Sequence, residues 1–128
     1  MQVGPGLAAL FALALPVTAE QSMALADFID TARDADIVVI GEIHDNPEHH
    51  RNQAAIVAAL QPAALVFEMI PQADEDAVNH LRAEGAGRAA IAEALDWAAS
   101  GWPDFGSYAA ILEAAPAAQA SAQSATTR

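Results

Sequence analysis

"DIVVIGEIHDNPEHH", Asp36 to His50, is the stretch whose reading decides the fold. An apolar, β-branched run without alternation stops at Gly41, as in a strand buried on both faces. Glu42, His44, Asp45, Glu48, His49 and His50 follow at once, so three of the four histidines of the chain cluster here. Within that cluster a helix starts. Asn46 can cap it, Pro47 suits the first helical position, and Glu48 favours the positive helix end. Apolar positions at Ile56, Val57 and Leu60 carry the helix to Gln61, and Pro62 stops it.

The neighbouring segments extend this pattern. Upstream, "SMALADFIDTARDA" (Ser22 to Ala35) places Leu25, Phe28, Ile29 and Ala32 at helical spacing. Downstream, "AALVFEMI" (Ala63 to Ile70) reads as a second buried strand ended by Pro71. Strand, helix and strand in this order predict a right-handed βαβ unit with parallel strands. Further helices are expected at about 74–84, 88–100 and 104–115, joined by "GAG" and "GWPDFG". The fold class is therefore α/β, a parallel βαβ core flanked by helices. Two strands leave sheet edges open and bury little, which reads as an incomplete version of a larger α/β domain. Residues 116–128, rich in Ala, Ser, Gln and Thr, carry no apolar period and read as a disordered low-complexity tail, as a truncated or frame-shifted ending would produce.

Ligands of open parallel sheets bind outside the carboxyl ends of the strands. Gly41, Glu42 and His44 stand at that end of the first strand, and Glu68 at that end of the second. In an extended chain Glu42 and His44 project to one side, and the crossover would bring Glu68 close to both. Two carboxylates and an imidazole can hold a divalent metal or work as a general acid/base set. Gly41 would let a ligand approach closely. Strands also end in polar residues for no reason of chemistry, and Glu68 could instead pair with an arginine such as Arg51. His49 and His50 read as helix-start neighbours of the site. His80, with Asp76 and Glu84, reads as a solvated helix face. The aromatic segment "DWAASGWPDFGSY" reads as a small core for the last helices, and Tyr108, the only tyrosine, could offer a phenolate to haem iron.

Charge and the N-terminus bound the partners. The formal charge is −12, with five arginines and no lysine, so nucleic acid and anionic membrane surfaces are excluded as partners. The absence of cysteine removes disulfides, thiolate metal sites and lipid anchoring through an N-terminal cysteine. "GLAALFALALPVTAE" has an apolar core from Leu7 to Leu15, then Pro16 and small residues at Val17 and Ala19. This is the layout of a signal peptide over residues 1–19, too short for a membrane span of roughly 20 residues, although the first residues carry no Lys or Arg. The expectation is an exported protein, periplasmic or secreted, with no stable membrane insertion after cleavage and a domain over residues 20–115.

"VVIGEIHDNPEHHRNQAAIVAAL", "ALVFEMIPQADEDAVNHL" and "GWPDFGSYAAILEAA" together resemble the ChaN family of haem-binding uptake proteins, related to the Tiki/TraB and erythromycin-esterase-like proteins. The resemblance covers about Ala26 to Ala115. Gly41, Glu42 and His44 match the first Gly-x-x-His element of that superfamily, and Glu68 matches the glutamate ending the next strand. The second Gly-x-x-His element has no counterpart, and the family's further strands and helical subdomain are missing. The resemblance implies an exported haem or iron-porphyrin binding protein in iron uptake, with His44, His49, Tyr108 and His80 as candidate cofactor contacts and a homodimer sandwiching its cofactors. The alternative is a metal-dependent hydrolase of the peptidase and esterase type, using Glu42, His44 and Glu68. A truncated product that does not fold stably is the third reading.

Overall fold

The computed structural model describes residues 23–117 and 121–125. The signal-peptide reading of residues 1–19 lies outside the described residues, as do 118–120 and 126–128 of the tail. Six α-helices and two strands are described. These are α1 (Leu25–Ala32), α2 (Pro47–Leu60), β1 (Ala64–Phe67), α3 (Glu75–Ala83), α4 (Arg88–Ala94), α5 (Trp97–Ser100), α6 (Phe105–Ala114) and β2 (Ser121–Ser124), with a 3₁₀ turn at Gln72–Asp74.

The helix starts follow the capping chemistry of the sequence. Asn46 accepts the Glu48 N–H at 2.9 Å, with Pro47 in the first helical position of α2. Gln61 ends that helix in a left-handed conformation, its N–H bonded to Val57 O at 2.9 Å, just before Pro62. Asp104 caps α6 by accepting the Gly106 N–H at 2.8 Å. A Cβ at Gly106 would stand 2.6 Å from that carboxylate, so a larger residue there would have to displace the Asp104 side chain. The single helix expected over 88–100 is divided into α4 and α5, because Asp96 adopts a left-handed backbone (φ 46°). The break turns the Trp97 indole inward, where Nε1 donates to Pro103 O at 2.7 Å.

The core lies where α2 packs on α6, where α3 meets β2, and where α4 packs on α3 and α6. Ile70, Val78, Tyr108, Ala115 and Ala122 are its most deeply buried members, at 0–2 % exposure. Arg82 fastens α3 to the end of α6, donating to Ala115 O at 2.8 Å and Leu112 O at 3.3 Å. A cation on the last carbonyls of a helix also meets the negative end of its dipole. Arg88 grips Glu113 with two bonds of 2.7 and 2.5 Å and ties α4 to α6.

The α/β class and the parallel sheet agree with the sequence expectation, but the strand pairing differs. β1 pairs with β2, in parallel, from Ala64 opposite Ser121 to Phe67 opposite Ser124. Residues 36–42, expected as the first strand, form none, and Ile37 and Val39 are 81 % and 88 % exposed. An apolar run signals β-competence without naming a partner. β1 itself buries one face: Leu65 and Phe67 point inward while Val66 is 61 % exposed.

The reading of the tail as disordered is corrected for Ser121–Ser124. "SAQS" has no strand signal of its own, and its backbone is satisfied by neighbours on both sides. β1 takes one edge. On the other, Asn79 donates to Ala122 O and accepts the Ala122 N–H, both at 2.8 Å, as a peptide of a third strand would. Glu75 accepts the Ser124 N–H at 2.6 Å. Asn79 and Glu75 thus cover an edge that would otherwise stand open.

Asn79→Ala removes both bonds to Ala122. We expect a loss of about 2 kcal/mol in urea unfolding at neutral pH, with faster amide exchange confined to residues 121–125. Asn79→Asp, which keeps the acceptor and loses the donor, should fall between the two.

Candidate functional site

The loop that follows Ile40 is pinned to the start of α2 by its histidines. Asn46 N–H bonds to Ile43 O at 2.9 Å and closes a turn over His44 and Asp45. His49, in the first turn of α2, accepts the Ile43 N–H through Nδ1 at 2.8 Å. His50 donates from Nε2 to the His44 carbonyl, also at 2.8 Å. His50 is 3 % exposed, the only buried polar residue among those described.

Held in this way, the loop turns Glu42 inward, leaving its side chain 9 % exposed. Its Oε1 accepts the Tyr108 hydroxyl at 2.9 Å and faces His44 Nδ1 at 2.8 Å. Its Oε2 lies 3.9 Å from His50 Nε2. Tyr108, on α6, is 2 % exposed and packs edge-to-face on His50 with ring centroids 4.6 Å apart. The His44 ring stands at the outer end of the cluster, 48 % exposed, edge-to-face with Trp102 at 4.7 Å.

Burial pushes the Glu42 carboxyl up. Hydrogen bonds from His44, Tyr108 and Gln53, with the charge of His50, outweigh it and hold the group below its ordinary value. For Tyr108, burial, the hydrogen bond to Glu42 and the charges of Glu42 and Glu68 all push the phenol well above its ordinary value. At neutral pH the pair is a carboxylate receiving a phenol O–H.

Sequence reasoning joined Glu42 to His44, and the structure brings them into contact. It does not bring Glu68 to them. Glu68 lies exposed just past β1, hydrogen-bonds to neither, and reaches the cluster only through its charge on Tyr108. No three His, Asp or Glu side chains are grouped to hold a metal ion among the described residues. The expected trio of Glu42, His44 and Glu68 is not joined by hydrogen bonds, and residues 36–42 form no strand paired with β1, whose partner is β2. Arg51, the suggested partner of Glu68, pairs with Glu48. His80 sits in solvent on α3, 3.4 Å from Glu84.

Two participants were undervalued. His50 read as an ordinary exposed neighbour, yet His50, Gln53 and Val57 share one helical stripe with buried Ile56, and that periodicity was the available signal. Trp102, read as a core residue, packs partly buried against the core and also meets His44 edge-to-face. Upstream of the loop, Phe28, Ile40, Gly41, His49 and Ile56 help line an open, largely apolar groove of ≈ 270 Å³. A Cβ at Gly41 would meet nothing within 4 Å, which leaves that stretch of backbone approachable.

Fold and site together define a small α/β protein with a carboxylate-backed imidazole on the loop before α2. Residues 28–127 match the sequence pattern of the family described as haem-binding uptake, Tiki superfamily, ChaN. The chain belongs to the ChaN family. No curated protein and no solved structure matches it.

A carboxylate held below its unfolded-state value contributes stability above that value and loses it as pH falls through the depressed one. Glu42→Gln should therefore cost about 2 kcal/mol at pH 7. The variant should also lack the part of the acid destabilisation that the wild type shows below the ordinary glutamate value of 4.5. Urea unfolding of both proteins across pH 2.5–7 measures it.

Proposed function

We propose that this chain binds haem or a related iron porphyrin outside the cytoplasm, in iron uptake, on the face formed by His44 and Trp102. The observation that carries this reading is the half-exposed imidazole of His44. It is backed by a buried carboxylate and flanked by an indole, within a chain of a haem-binding uptake family. An imidazole nitrogen is an iron donor, and flat aromatic and apolar surface suits a porphyrin ring. The donor chemistry present therefore fits the group. When bound, the porphyrin supplies the iron being carried. The chain's own part is to present His44, to lay Trp102 beside it, and to keep Glu42 ionised behind it.

Haemin titration into the purified chain tests the proposal. A Soret shift and quenching of tryptophan fluorescence at micromolar haemin are expected, with affinity weakened about tenfold in Trp102→Ala. No Soret shift, together with tight divalent-metal binding that Glu42→Gln abolishes, would favour a metal-dependent hydrolase instead.

Export is supported by the apolar run Leu7–Leu15 and the small residues before Glu20. Expression in a bacterial host should yield a periplasmic product whose intact mass begins at Glu20. A cytoplasmic product retaining Met1 would reject export. Among the described residues no helix is long and apolar enough to cross a membrane.

A further inference from the structure

The stretch of sequence that reads most plainly as a strand is the one left without a partner. Residues 37–43 alternate along the chain: Ile37, Val39, Gly41 and Ile43 are exposed, while Val38, Ile40 and Glu42 are partly covered. Ile40 lines the groove with Phe28 and Ile56, and Glu42 is held by Tyr108. The segment is thus fastened through one side. The other side carries Ile37 at 81 %, Val39 at 88 % and Ile43 at 60 % exposure. A period of two is the geometry of a strand. Yet among the described residues no backbone N–H or C=O of residues 36–42 enters a hydrogen bond.

Elsewhere the molecule protects such an edge, since Asn79 and Glu75 cover the outer side of β2. Residues 37–41 contain neither of the sequence devices that blunt an edge, a proline or a charge. Four of the five are β-branched, the side chains that suit a pleated surface.

Charge limits what can pair here. Asp34 and Asp36 precede the segment and Asp45 follows it; all three are exposed, and none enters an ion pair among the described residues. The arginines nearest in sequence are engaged, Arg33 with Asp30 and Arg51 with Glu48. A second copy is disfavoured, because each copy carries a formal charge of −12. Parallel pairing would set Asp36 beside Asp36, and antiparallel pairing centred on Val39 would set Asp36 beside Glu42. Like charges placed opposite each other weaken a strand pair. A cationic strand meets the same acids favourably.

We propose that residues 37–41 are a docking edge for an extended, cationic segment of another polypeptide, which joins the chain as an added β-strand. The free N–H and C=O groups supply the main-chain bonds. Apolar side chains at alternate positions of the partner lie beside Ile37 and Val39. Lys or Arg at its ends meets Asp34, Asp36 and Asp45 and sets the preference for this partner. Nothing in this pairing requires haem.

The test uses the full chain and short labelled peptides of alternating valine and threonine, flanked either by lysines or by glutamates. In fluorescence anisotropy the lysine-flanked peptide should bind about tenfold or more tightly than the other. That advantage should fade between about 50 and 500 mM salt. Val39→Pro, which removes a backbone donor at an exposed position, should weaken binding about tenfold with an unchanged far-UV spectrum. Asp36→Arg, which keeps the backbone intact, should reduce the preference for the lysine-flanked peptide. In hydrogen exchange the amides of residues 37–41 should exchange rapidly in the free chain and slow about tenfold or more with peptide bound. No binding at about 1 mM peptide, equal binding of the two peptides, or binding that leaves those amides unprotected would overturn the proposal. Amides already protected in the free chain would overturn it as well. Sedimentation decides on the second copy: a concentration-dependent dimer abolished by Val39→Pro would make the chain its own partner and reject a cationic one.

Discussion

A glutamate carboxylate almost out of water must be met by donors, and the arrangement around Glu42 follows from that requirement. An uncompensated buried charge costs several kcal/mol. Tyr108 is brought from α6 to supply one donor, and His44 supplies another from the same loop. The first can reach Glu42 only if α6 lies against α2, and the second only if the chain turns tightly after Ile43. The histidines of the first turn of α2 then hold that turn to the helix through backbone bonds. A single charge therefore couples the packing of two helices to the shape of the loop between Gly41 and Asn46.

Much of this was legible in the residues, and the boundary is physical. Helices α2, α3 and α6 could be placed because their signals are local: a cap, a proline, an apolar stripe. The division of α4 from α5 was not legible, since it rests on one left-handed residue, Asp96, with no glycine to announce it. The strand pairing was not legible either. A parallel partner is chosen by what else touches it, and β2 is held by Asn79 and Glu75, side chains of α3, more than by any property of "SAQS".

The site divides in the same manner. Glu42 and His44 stand two residues apart, so their contact could be read directly. Tyr108 joins them from 64 and 66 residues away, and nothing in its neighbourhood says that its hydroxyl points at Glu42. Glu68 is the converse case. Its position at the end of an apolar run looked equivalent to that of Glu42, but equivalence needed the two runs to be adjacent strands. Where sequence separation was small the chemistry was readable, and where it depended on topology it was not.

The placement of β2 carries a consequence for the order in which the molecule assembles. Its partner strand and its side-chain partners precede it by dozens of residues, and closing so long a loop is entropically unfavourable until the contacts that reward it exist. Asn79 can meet both Ala122 groups only from its place on α3. The sheet, usually thought of as the scaffold of an α/β fold, here depends on side chains of a helix for one of its two edges.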